Sequence, residues 1–132
     1  METLRARFET LRWARGADEP ITEATARATT PASDDVVEIS LRFCDGGIES
    51  ARFRAHGSPA TLCAADWACE YAETGGADVM TLCATDVAEA LHLARIQMPA
   101  ALMAVDALQA AYRRWQDVGA QEHQSQQTVS TV

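Results

Sequence analysis

The stretch that decides the fold is residues 48–72, which read IESARFRAHGSPATLCAADWACEYA. Its first half alternates small or apolar residues with arginine and histidine, which is the two-residue period of a strand with one buried face. Gly57 then permits a sharp turn, and Ser58 followed by Pro59 is typical of a helix N-cap and first helical position. Residue 58 is therefore predicted to lie at a helix N-terminus, where free N–H groups favour an anion, a thiolate or a nucleophile.

The residues before this stretch predict a second strand that pairs with the first. Apolar and polar residues alternate over 36–43, and the turn residues Cys-Asp-Gly-Gly at 44–47 favour a hairpin. An isolated hairpin is unstable in water, so helices are expected to cover its apolar face. The predicted core contains apolar residues of both layers: Val37, Ile39, Leu41, Phe43 and Phe53 from the sheet, and Leu62, Leu102, Val105 and Leu108 from the helices.

Helices are predicted on both sides of the hairpin in the sequence, from apolar residues three and four apart and from start and stop residues. The polar stretch before the hairpin is broken by two prolines and holds one large apolar residue, Ile21. The predicted segments are a helix over 2–15, an extended connection over 16–34, a helix over 59–73, a short helix or turn over 77–83, a helix from Asp86 to Leu93, and a helix from Pro99 to Gly119.

These elements predict one α+β domain over residues 1–119. Its small antiparallel sheet consists of the hairpin 36–55, with room for a third strand, and helices cover one face of the sheet. Residues 120–132 lack hydrophobic periodicity and are predicted to form a disordered tail.

Composition excludes several classes of protein. A net charge of −8 argues against a nucleic-acid binder, and no apolar run approaches the length of a membrane span. The four cysteines Cys44, Cys63, Cys69 and Cys83 form no C-x-x-C pair, which favours reduced thiols in a cytoplasmic protein.

Four segments in this order resemble the U-type scaffold proteins of iron–sulfur cluster assembly, the IscU proteins and the N-terminal part of NifU. The resemblance covers residues 33–115 and implies their α+β fold. The resembling segments are Asp35 to Val37, Ile48 to Gly57, Thr85 to Leu91 and Met103 to Tyr112.

The resemblance also identifies a degenerate cluster site. The family assembles a 2Fe–2S cluster on three cysteines and a nearby aspartate. Here Ser33, Ser58 and Ala100 stand at the cysteine positions, and only the aspartate, Asp35, remains. Serine and alanine cannot replace soft thiolate ligands, so no stably bound cofactor is expected. A cluster or zinc would bind only if other residues substitute for the missing cysteines.

The resemblance further implies protein partners. The family's chaperone-recognition segment Leu-Pro-Pro-Val-Lys is degraded at 93–97, where Leu93, Ile96 and Gln97 are the candidate contact residues. We expect a divergent scaffold-like protein that acts through partners such as the cysteine desulfurase, without membrane or nucleic acid. Family members can dimerise, which leaves a homodimer open.

Two other hypotheses remain open from the sequence. The chain could be a binding module that keeps only the fold and serves another pathway. It could also be a small enzyme whose active site contains Asp35, His56 and Ser58, with Asp35 as a metal ligand. A helix cap is, however, the simpler interpretation of Ser58. Arg52 and Arg54 on the outer strand face could receive an acidic partner, or could protect an exposed sheet from pairing with other chains.

Overall fold

The structure of the chain, a computed structural model, describes residues 4–15, 22, 24–30, 34–74 and 78–130, with side chains up to residue 117. A three-stranded antiparallel sheet in the order β1-β2-β3 carries helices on one face. The strands are β1 (Ala24–Thr29), β2 (Val36–Cys44) and β3 (Gly47–His56). The helices are α1 (Leu4–Glu9), α2 (Pro59–Glu73), α3 (Ala84–Leu91) and α4 (Met98–Ser130), with short 3-10 turns at Val79–Thr81 and Arg95–Gln97.

The predicted α+β fold and the register of its hairpin are confirmed. Ile39 pairs with Phe53 across β2 and β3, and both side chains are buried against α2 and α4. Arg42 and Arg54 lie exposed on the opposite face. Burying each large apolar side chain contributes about 1.5–3 kcal/mol, which is why this register is strongly preferred over a one-residue slip.

The first 30 residues differ from the prediction. Within the described residues the N-terminal helix covers Leu4–Glu9 and does not reach residue 15, and the polar connection contains the third strand, β1. Ile21, the one large apolar residue of that connection, lies outside the described residues. Beyond α1, the backbone pairs with the free edge of β3, because the N–H of Arg15 donates to the carbonyl of Phe53 at 2.7 Å. This pairing protects part of the β3 edge.

The boundaries of two helices also differ, and α3 covers Ala84–Leu91 instead of Asp86 to Leu93. Helix α3 begins at Ala84, because Asp86 is its third residue and accepts a hydrogen bond from the backbone N–H of Cys83 at 3.0 Å. Helix α4 continues through Gly119, predicted to end it, and through 120–130, predicted to be a disordered tail. A single glycine costs a helix only about 1 kcal/mol, so it does not by itself end one.

Two predicted core residues are wrong. Leu62 of α2 is only half-buried and does not belong to the hydrophobic core. Leu102 is 50% exposed, because it shares a face of α4 with the exposed residue Asp106, four positions further on. The buried side of α4 is rich in alanine, which lets the helix pack closely against the sheet and α2. Among the helices described, none is long and apolar enough to cross a membrane.

Candidate functional site

The corner between β3 and α2 is built around a capped helix N-terminus. Ser58 is the N-cap of α2, as predicted, and its Oγ accepts a hydrogen bond from the backbone N–H of Thr61 at 3.3 Å. The two hydroxyl oxygens of Ser58 and Thr61 lie 3.1 Å apart. Pro59, the first helical residue, lacks the N–H that would otherwise need a partner.

Asp35 is held directly against this corner. The hydroxyl of Thr61 donates a hydrogen bond to Oδ2 of Asp35 at 2.7 Å. The absence of a side chain at Gly57 makes this approach possible, because a Cβ there would lie 2.5 Å from Cγ of Asp35. Thr61 was not singled out from the sequence, although its position three residues after the N-cap Ser58 is the signal that could have found it.

We expect Gly57→Ala to lower the free energy of unfolding by about 1–3 kcal/mol. The new methyl group would overlap the Asp35 carboxylate, and the φ of +149° at Gly57 is rarely adopted by residues with a Cβ. Urea unfolding of the variant and its parent measures the difference.

The matched control uses the same substitution after Asp35→Ala, which removes the overlapping carboxylate. In this background Gly57→Ala should lower the free energy of unfolding only by the part that comes from backbone strain at residue 57. An equal cost in both backgrounds would show that Gly57 does not serve to admit Asp35.

The corner opens into a pocket of about 640 Å³. Asp35, Ser58 and Thr61 contribute polar groups to its lining, and Ala100 lines it from the first turn of α4. Leu4 contributes from α1. Three of the four positions carried over from the scaffold family thus line one pocket, while Ser33 lies outside the described residues. That these positions correspond to a cluster site stays a prediction.

The predicted partner-contact residues Leu93, Ile96 and Gln97 lie in two different environments. Ile96 is 88% exposed and lines the same pocket, as does Gln97, whose side-chain oxygen accepts the backbone N–H of Ala94 at 2.8 Å. Leu93 instead packs against the hydrophobic core. His56 is exposed and lines a different pocket on the outer face of the sheet, so the corner pocket does not unite it with Asp35 and Ser58.

The donor atoms of the corner pocket do not fit an iron–sulfur cluster. Its described lining residues offer carboxylate and hydroxyl oxygens and no thiol, whereas clusters are held by thiolates. Cys63 and Cys69 are fully buried, and burial raises the pKa of the Cys69 thiol well above its ordinary value. Cys44 and Cys83 are exposed, and the described residues contain no group of three or more histidine, cysteine or acidic residues placed to hold a metal ion.

The fold and the corner pocket define a small α+β domain with a pocket where a strand enters a capped helix. The family model described as NifU-like N terminal domain matches residues 12–122, and the chain belongs to this family. A comparison with curated proteins gives no match. Membership assigns the chain a scaffold-type function in iron–sulfur cluster assembly, and scaffold proteins of this family are generally not enzymes.

Proposed function

We propose that this protein is a divergent scaffold that serves iron–sulfur cluster assembly through protein partners and holds no cluster by itself. The observation that carries the proposal is the composition of the corner pocket. Asp35, Ser58 and Ala100 line it together, which supports a convergent site that has oxygen donors and a methyl group instead of thiols. Iron in a cluster needs sulfur ligands, which these residues cannot supply.

A partner surface beside the pocket supports the same proposal. The side chain of Ile96 is almost fully exposed at the rim of the pocket, next to Pro99 at the start of α4. An exposed branched apolar side chain beside an apolar depression is typical of a protein contact. The cysteine desulfurase is the partner that family membership favours. The sulfur that it supplies would then be used for a cluster assembled on another protein.

We expect the purified protein to stay colourless after anaerobic incubation with iron, cysteine and a cysteine desulfurase, while the desulfurase elutes with it in gel filtration. Absence of the thiolate-to-iron charge-transfer bands in the visible spectrum is the readout for the first part. Ile96→Asp should weaken the association, because it introduces a charge where an apolar contact is proposed. Leu102→Asp, on the exposed face of α4, is the matched control.

Stable visible bands in the parent protein would overturn the cluster-free proposal and would implicate Cys44, Cys63, Cys69 or Cys83 as ligands. A desulfurase that never elutes with the chain would favour the alternative of a binding module in another pathway. Equal weakening by Ile96→Asp and Leu102→Asp would show that the rim of the pocket is not the contact.

A further inference from the structure

The outer face of the sheet concentrates positive charge in a chain that is acidic as a whole. The net charge is −8, with 11 basic residues against 19 acidic ones. Three arginines nevertheless lie side by side across the sheet, one on each of β1 and β3 and one on the N-terminal segment that pairs with β3. Together with one glutamate they form a row, here called the arginine row: Arg27, Glu38, Arg54 and Arg15.

The register of the strands fixes this order. Glu38 on β2 is the direct partner of Arg27 on β1 and of Arg54 on β3. The Arg15 backbone donates to Phe53, which places Arg15 beside the β3 edge next to Arg54. The Glu38 carboxylate contacts Nη2 of Arg27 at 3.2 Å and lies 3.9 Å from Nη2 of Arg15.

One carboxylate cannot satisfy three guanidinium groups. The Arg15 side chain is only 6% exposed, and its buried Nη1 has no hydrogen-bond partner among the residues that the structure describes. Arg54 makes no ion pair within the described part of the chain. A buried guanidinium nitrogen without an acceptor is costly, so an added carboxylate near this row would be stabilised.

The row borders a shallow depression of about 250 Å³. Arg27 and Arg54 stand on its two sides, Glu38 lies between them, and His56 lines its end. Adjacent strands are about 4.8 Å apart, so the backbones of Arg27 and Arg54 are separated by about 10 Å. In an extended peptide with the polyproline II conformation, residues three apart lie on the same side and about 9 Å apart, because this helix has three residues per turn.

We propose that this face binds an extended acidic segment of a partner protein, with two carboxylates three residues apart that pair with Arg27 and Arg54. The carboxylates then lie on either side of Glu38 and avoid its charge. A compact anion such as phosphate would bring its whole charge close to Glu38 at whichever arginine it bound. The proposal goes beyond the assembly function, since it requires neither the corner pocket nor a cluster.

The test is fluorescence anisotropy with a labelled peptide that has glutamate at every third residue and serine elsewhere, at about 0.15 M salt. The parent protein should bind it, and the double variant Arg27→Glu/Arg54→Glu should bind roughly tenfold more weakly, because attraction becomes repulsion at both contacts. Arg113→Glu/Arg114→Glu makes the same change in net charge on exposed residues of α4 and should leave binding nearly unchanged.

Each other outcome would overturn the proposal. Equal weakening by both double variants would mean that only net charge matters. Failure of the parent to bind, binding of a peptide with its glutamates adjacent just as tightly, or full displacement by inorganic phosphate at low concentration would exclude the spaced acidic segment. Circular dichroism verifies folding, and Arg27→Gln/Arg54→Gln takes the place of the charge reversal if that variant does not fold.

Discussion

Replacing Ser33, Ser58 and Ala100 together by cysteine is expected to give this protein a zinc site. Ser58 and Ala100 line one pocket with Asp35, so three thiolates and a carboxylate would supply the four ligands that tetrahedral Zn²⁺ prefers. Positions 58 and 100 lie at the N-terminal ends of α2 and α4, where free N–H groups favour the thiolate form. Structural zinc binding is worth about 10–16 kcal/mol in small domains, so the uptake should be easy to detect.

Zinc per protein, measured by metal analysis on mutant and parent together, provides the test. The same triple variant with Asp35→Ala separates the contribution of the carboxylate and should bind zinc more weakly. Ser33 lies outside the described residues, so the result also reports whether that position reaches the pocket. If the triple variant takes up no more zinc than the parent, the correspondence between these positions and the family's cluster ligands is wrong.

Asp66→Ala is expected to lower the free energy of unfolding by about 3 kcal/mol. Asp66 is 1% exposed and lies in the middle of α2, where its Oδ2 accepts a hydrogen bond from Arg7 at 2.7 Å. Its Oδ1 accepts the backbone N–H groups of Arg12 and Trp13 at 3.0 and 2.9 Å. Burial raises the pKa of Asp66, and these hydrogen bonds and the Arg7 charge act against that rise. Alanine would remove the carboxylate that pairs with Nη1 of the buried Arg7, whose Nη2 pairs with Glu70 at 2.8 Å.

Urea unfolding measures this loss, and the matched control is Glu9→Ala. Glu9 pairs with Arg5 at 3.3 Å on the surface of α1, and exposed pairs of this kind contribute less than about 1 kcal/mol. If Asp66→Ala lowers the free energy of unfolding no more than Glu9→Ala does, the contacts of Asp66 do not hold the N-terminal segment in place. Because Leu4 on that segment lines the corner pocket, the variant should also expose one wall of the pocket.

Patterns within a few residues were enough to predict the hairpin, the corner and helix α2. The alternation over 36–43 and 48–55, the turn at 44–47, and the Gly-Ser-Pro run each act locally, through sterics, capping and burial of one strand face. The family resemblance added the candidate positions Asp35, Ser58 and Ala100, and the family itself is confirmed by the match over residues 12–122.

The sequence by itself determined the elements that a local residue pattern predicts, namely the hairpin, the corner and helix α2. Tertiary structure decided the rest. Strand β1 reads ATARAT and has no large apolar residue, so its strand conformation depends on pairing with β2. Leu102 faces solvent because alanines occupy the packed side of α4. The contact between Thr61 and Asp35, 26 residues apart, and the arginine row both depend on chain segments that meet only when the sheet has formed. Contacts between segments distant in the chain produce no periodic pattern in the sequence, because each contact depends on where the fold places both residues.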